Sequence, residues 1–241
     1  MYDEDVLDAC RKRTDEALRP FWKKLSDHLW RNKPLYTDME LVREDLYTQE
    51  ALSKTVTYSI KGVSMSFKAT RVPSELRMVV QIQADKFKRC SAFSGPDVAR
   101  LRTDDEGLRF DLFIALCEKQ FFIMVSIMEI KGVENVAYGL QTSSEPPFTS
   151  ERPGVLITVQ CTLSAPVSTV FSCILAVRSD DPSVLATVLF KERYLFLPTQ
   201  SPAWNDHPRH FRKVKDLADF FQTEVNRGCN LMDAYDKSKE A

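Results

Sequence analysis

Thr55-Val56-Thr57-Tyr58-Ser59-Ile60-Lys61-Gly62-Val63-Ser64-Met65-Ser66-Phe67-Lys68-Ala69 changes side-chain chemistry at every second residue. Val56, Tyr58 and Ile60 alternate with Thr and Ser, and Val63, Met65, Phe67 and Ala69 alternate back after Lys61-Gly62. A period of two belongs to an extended strand with one buried face. Lys-Gly can turn the chain, so the stretch predicts a β-hairpin. Past the Pro73 loop, Leu76, Met78, Val80 and Ile82 alternate with Arg77 and Gln81. Three consecutive strands with one apolar face predict an antiparallel meander with one wet side.

Toward the C-terminus, residues 85–107 break the pattern and read as a long exposed polar loop, opened by Lys86, Lys88 and Arg89 and closed by Asp104-Asp105-Glu106. Alternation resumes at Leu108, Phe110, Leu112, Ile114 and Leu116, which predicts another strand. Glu118-Lys119 reads as a turn into Phe121–Met128, apolar on both faces and hence a covered central strand. Further strands are predicted over 133–141, 155–163, 170–178 and 184–197, for about nine in all. No helical period is visible between Thr55 and Leu197, so a parallel, doubly wound sheet is not expected.

Both ends read as helices. Leu7, Cys10, Thr14, Leu18, Phe21, Trp22, Leu25 and Leu29 follow one helix face, with a kink or break expected at Pro20 and an end at Pro34. A second helix is predicted from Thr37, where Thr37-Asp38-Met39-Glu40 has capping-box spacing, to about Leu52. Phe211, Val214, Leu217, Phe221 and Val225 form a C-terminal stripe, and Gly228 suits the left-handed position after a helix end. The expected fold class is α+β: an antiparallel sheet of about seven to nine strands flanked by amphipathic helices. The expected domains are a helical extension over 1–36 and a single domain over 37–241.

The 241 residues carry 33 Lys+Arg against 34 Asp+Glu, a formal charge of −1. That balance argues against wholesale wrapping of nucleic acid. No stretch is long and apolar enough to predict a membrane span. The acidic start Met1–Asp5 has neither a secretory signal nor an Arg-rich transit pattern, although a removed presequence leaves no trace. Six cysteines (10, 90, 117, 161, 173, 229) without CxxC spacing predict reduced, mostly buried thiols.

Catalytic patterns are sparse. His207-Pro208-Arg209-His210 with Asp206 has ligand-like spacing but lacks neighbouring ligands, so surface loop residues before a helix are the better reading and no metal site is expected. Ser26 and His28 fall on different helix faces. Asp104-Asp105-Glu106 lacks the alternation of a calcium loop. There is no nucleophile elbow and no Gly-rich phosphate loop, so no cofactor and no enzymatic activity are expected. The candidate partner-binding residues are Lys86, Lys88 and Arg89 around Phe87, and Trp204, Arg209, Arg212 and Lys213, beside His210 and Lys215. Trp22 and Trp30 are expected to anchor the N-terminal helices.

The order of helix, meander, long polar loop, further strands and terminal helix resembles the mitochondrial p32/MAM33 (mitochondrial glycoprotein) family. Thr55–Gln83 resembles that family's opening strands, and Val133-Glu134-Asn135-Val136-Ala137-Tyr138 before Pro146-Pro147-Phe148 is similar to a later strand and loop. Leu217–Gly228, closing on Arg227-Gly228-Cys229, resembles its amphipathic helix, and Tyr235-Asp236-Lys237-Ser238-Lys239-Glu240 an element downstream. The neutral charge, the residues before 37, the strands between 154 and 197 and the end at Ala241 depart from the family pattern. The resemblance implies a strongly twisted sheet and a doughnut-shaped homotrimer. It also implies a mitochondrial-matrix adaptor or chaperone-like role with protein and RNA partners in translation or RNA metabolism. Two other readings compete with it. One is a monomeric helix-grip (START-like) protein holding an apolar small molecule. The other is a hot-dog thioesterase, which needs a long helix among the strands.

Overall fold

The computed structural model describes residues 4–31, 42–47, 53–72, 75–84, 93–94, 99–101, 107–133, 135–143, 154–164, 167–178, 181–192 and 204–240. Among them are three helices and eleven strands, divided between two compact units. The first unit comprises residues 1–86 and 91–121, the second 87–90 and 122–241. The fold is α+β, and every described strand pairing is antiparallel.

In the first unit, β1 (Val42–Tyr47), β2 (Ser53–Ile60), β3 (Val63–Val72) and β4 (Glu75–Ala84) form a meander in chain order. The short strands β5 (Phe93–Ser94) and β6 (Ala99–Leu101) lie in the stretch expected to be loop, and both pair with β4. The predicted hairpin is present: Lys61 (φ 48°) and Gly62 (φ 79°) both take positive φ, as a type I′ turn requires. Cross-strand rows Val56–Phe67–Val80 and Tyr58–Met65–Ile82 build the buried face. The Tyr58 ring meets Phe67 edge-on at 6.2 Å. On the opposite face the Thr57 and Ser66 hydroxyls share a hydrogen bond of 2.9 Å.

Helix α1 (Glu4–Arg31) packs against β3 and runs unbroken through Pro20, with Thr14, Leu18 and Trp22 buried at four-residue spacing. It is therefore part of the first unit, and the expected break at Pro20 is not seen. Lys54 of β2, its side chain 9 % exposed, ties α1 to β1: its Nζ lies 3.0 Å from Asp15 Oδ1 and 3.1 Å from Asp45 Oδ2, and 5.9 Å from the Trp22 ring centroid. A nearly buried ammonium needs such partners, because an uncompensated charge there is strongly unfavourable.

Two predicted elements are corrected. Residues 42–47, expected to be helical, form β1, paired with β2 from Val42↔Ser59 to Tyr47↔Lys54. The four-residue spacing of Val42 and Leu46 that suggested a helix face is also even, so it fits one face of a strand equally well. The rest of the Thr37–Leu52 helix lies outside the described residues. The strands expected over 108–116 and 121–128, with a turn at Glu118-Lys119, are one helix, α2 (Gly107–Met128). From Leu108 to Lys131 there is neither Gly nor Pro, so nothing punctuates strands of ordinary length, and a long apolar run then favours a helix. Residues 115–127 of α2 are all buried, which explains why its pattern shows no single apolar face. The described strands pair into two sheets, one of six strands and one of five, where a single sheet of about seven to nine was expected.

In the second unit, β7 (Asn135–Ser143), β8 (Gly154–Ser164), β9 (Val167–Arg178), β10 (Ala186–Glu192) and β11 (Trp204–Phe211) make a second meander in chain order. Helix α3 (Val214–Glu240) packs on β9 and β11. Val155, Ile157, Val159 and Cys161 of β8 share the sheet's buried face with Phe171, Cys173, Leu175 and Val177 of β9, through pairs such as Val159↔Cys173. The predicted α3 stripe is buried, but the helix does not end at Gly228; it continues to Glu240. Gly228 has a different role there. A Cβ at that position would run into the Val170 carbonyl oxygen and lie 2.8 Å from the carbonyl carbon, so only glycine lets α3 approach β9 this closely. The Gln222 side chain holds Lys131 at both backbone groups, accepting from its N–H (2.8 Å) and donating to its carbonyl (3.1 Å).

Candidate partner-binding cleft

β11 is the last strand of its sheet and leads through Arg212 and Lys213 directly into α3. Its pairing with β10 is irregular. Phe190 lies opposite Trp204 and Val188 opposite Arg209, so residues 205–208, Pro208 included, face a single residue of β10. A strand with no neighbour on one side among the described residues tolerates both the proline and the bulge, because that row of backbone groups takes no part in the sheet.

Between this strand and the first turns of α3 is an open cleft of about 430 Å³, lined by Arg209, His210, Phe211, Asp216, Asp219, Phe220, Thr223 and Glu224. Its floor is aromatic. Phe211 and Phe220 are buried with centroids 5.0 Å apart, and Phe220 also meets Phe171 edge-on at 6.0 Å. The Arg209 guanidinium is 5.0 Å from the Phe211 centroid and 5.4 Å from that of Phe220, a double cation–π contact on an exposed residue. His210 Nδ1 shares a 2.8 Å hydrogen bond with the Thr187 hydroxyl, which fixes the ring against β10. On the α3 wall, Glu224 lies 3.9 Å from Arg227. Asp216 and Asp219 are exposed.

The sequence candidates divide accordingly. Arg209, Arg212 and Lys213 come together at the β11–α3 corner, all exposed. The Trp204 backbone opens β11 opposite Phe190. Lys86, Lys88 and Arg89 lie outside the described residues. His207 and His210 belong to a strand and not to a loop, which corrects their expected setting. Among the described residues, no group of three or more His, Cys, Asp or Glu side chains is placed to hold a metal. No described helix is long and apolar enough to cross a membrane.

Sequence reasoning missed two features. The acidic lining of the cleft was one: Asp216 and Asp219 sit one turn apart on α3, and only the tertiary fold sets them in one cleft with Arg209. The other is the run Glu118-Lys119-Gln120, of which Glu118-Lys119 was read as a turn, yet all three are buried on α2. The Gln120 amide, 1 % exposed, has no hydrogen-bond partner for either terminal atom among the described residues. The sequence signal was there, as three polar residues inside an otherwise apolar run. Three of the five described thiols follow the expectation of burial: Cys117, Cys161 and Cys173 are buried and unbridged, Cys10 is half-buried, and burial pushes the Cys117 thiol far above its ordinary range. Cys229, half-buried on α3, is raised by burial and by the nearby Asp233 carboxylate.

Compared with protein-family models, with curated proteins and with solved structures, the chain matches none.

Proposed function

We propose that this chain is a non-enzymatic binding protein, an adaptor or chaperone-like module that assembles as an oligomer and engages protein partners at the β11–α3 corner. The observation that carries the reading is the Arg209 guanidinium seated on Phe211 and Phe220 at the mouth of an open cleft. A cation pre-ordered on aromatic rings loses little freedom when it is captured, which is why arginine–aromatic clusters recur where proteins recognise one another. The family resemblance extends the proposal to a homotrimer in the mitochondrial matrix that serves translation or RNA metabolism. RNA is the less favoured partner here, because Asp216 and Asp219 would face its phosphates.

The helix-grip alternative shares the order of meander then helix. It is weakened by what fills the α3-covered face of the second sheet: Phe171, Phe211, Phe220 and Phe221 occupy it in mutual ring contact, and the cleft beside them has charged walls. Light scattering on the purified chain at low micromolar concentration separates the two readings. The proposal expects a mass of about three chains. A monomer that retains an apolar small molecule would replace it with the alternative.

A further inference from the structure

We propose that the β11–α3 cleft receives an extended segment of a partner protein in which a carboxylate and a cationic side chain lie side by side. This deepens the binding reading above by naming the chemistry that the site selects. The Arg209 guanidinium rests on rings but forms no ion pair among the described residues, although carboxylates line the same cleft. Stacking occupies the face of a guanidinium and leaves its in-plane N–H groups to grip a carboxylate in two-pronged fashion. In the same cleft, the Asp216 and Asp219 carboxylates also have no ion pair or hydrogen bond among the described residues, and they suit a lysine or arginine. Each charge repels what the other attracts: an all-acidic segment meets Asp216 and Asp219, and an all-basic one meets Arg209, with the exposed Arg212 and Lys213 three and four residues on in the chain. Repulsion of this kind is how a binding site rejects the wrong partner. Among the described residues β11 is the last strand of its sheet, so an extended segment can approach along its outer side beyond the bulge, at Arg209–Phe211.

The test uses the full chain and three fluorescein-labelled peptides of equal length: one alternating glutamate and lysine on a Val/Thr background, one with glutamate alone and one with lysine alone. A short polyuridylate serves as the RNA arm. The alternating peptide should bind saturably and shift the amide resonances of residues 209–224. R209Q and D219N should each weaken it about fivefold or more, the scale of one well-ordered ion pair. D233N, farther along α3, should leave it unchanged. Equal binding of a single-charge peptide, tighter binding of polyuridylate, no saturation by about millimolar peptide, or an unaffected R209Q would each overturn the proposal. An oligomer without saturable peptide binding would refute this inference and leave the broader binding reading standing.

Discussion

Replacing Gly228 by alanine should destabilise the second unit by more than about 2 kcal/mol, although alanine is the better helix former. Two effects oppose each other. Glycine inside a helix is worse than alanine by up to about 1 kcal/mol, so propensity alone favours the substitution. Against that, the new methyl group would meet the Val170 carbonyl group and lie 3.1 Å from the Val170 Cβ, in a contact made by backbone atoms that cannot rotate away. Overpacking of this kind costs about 1–3 kcal/mol even where flexible side chains take up the strain. The clash therefore wins, and α3 must lift from β9. Urea unfolding checks this: the midpoint should fall for G228A, while N230A, at an exposed position of the same helix, should change stability by no more than about 0.5 kcal/mol. A G228A variant more stable than the parent would show that α3 does not sit this close to the sheet.

Truncating Phe221 to alanine should cost about 3–5 kcal/mol. Its side chain is fully buried, with centroids 6.1 Å from Phe171 and 5.9 Å from Phe220. The loss combines the apolar area removed from burial with a cavity that rings on both sides cannot collapse to fill. F221L, which keeps most of the volume, should cost less than about 1.5 kcal/mol. The contrast between the two separates loss of packing from mere sensitivity of the position, and urea midpoints with an unchanged slope report it.

The parts of this fold that local chemistry specifies were legible in the sequence. The Lys61-Gly62 hairpin follows from alternation on both sides of a residue pair able to take positive φ, and the α3 stripe follows from one strongly apolar helix face. What tertiary context decides was not legible. β1 has spacing compatible with either period, and pairing with β2, reinforced by Lys54 and Asp45, selects the strand. In α2, burial on all sides erases the amphipathic contrast from which helices are usually read, and both strand and helix templates fit its apolar residues; the absence of Gly and Pro was the deciding signal. Gly228 has the same character, because its sequence context suggests a cap and only the proximity of Val170 reveals its role. At the cleft, the basic cluster was visible as composition. The rings beneath Arg209 and the carboxylates that line the same cleft come from two elements that meet only in the folded chain.

The account stands on α2: a buried helix lies between two antiparallel meanders in chain order, where an alternating reading of the same residues would give further strands. Backbone carbon chemical shifts of residues 115–128 in the native protein test this directly. The account predicts helical secondary shifts throughout, with amides among the slowest to exchange. Strand-type shifts with a turn at Glu118-Lys119 would contradict it.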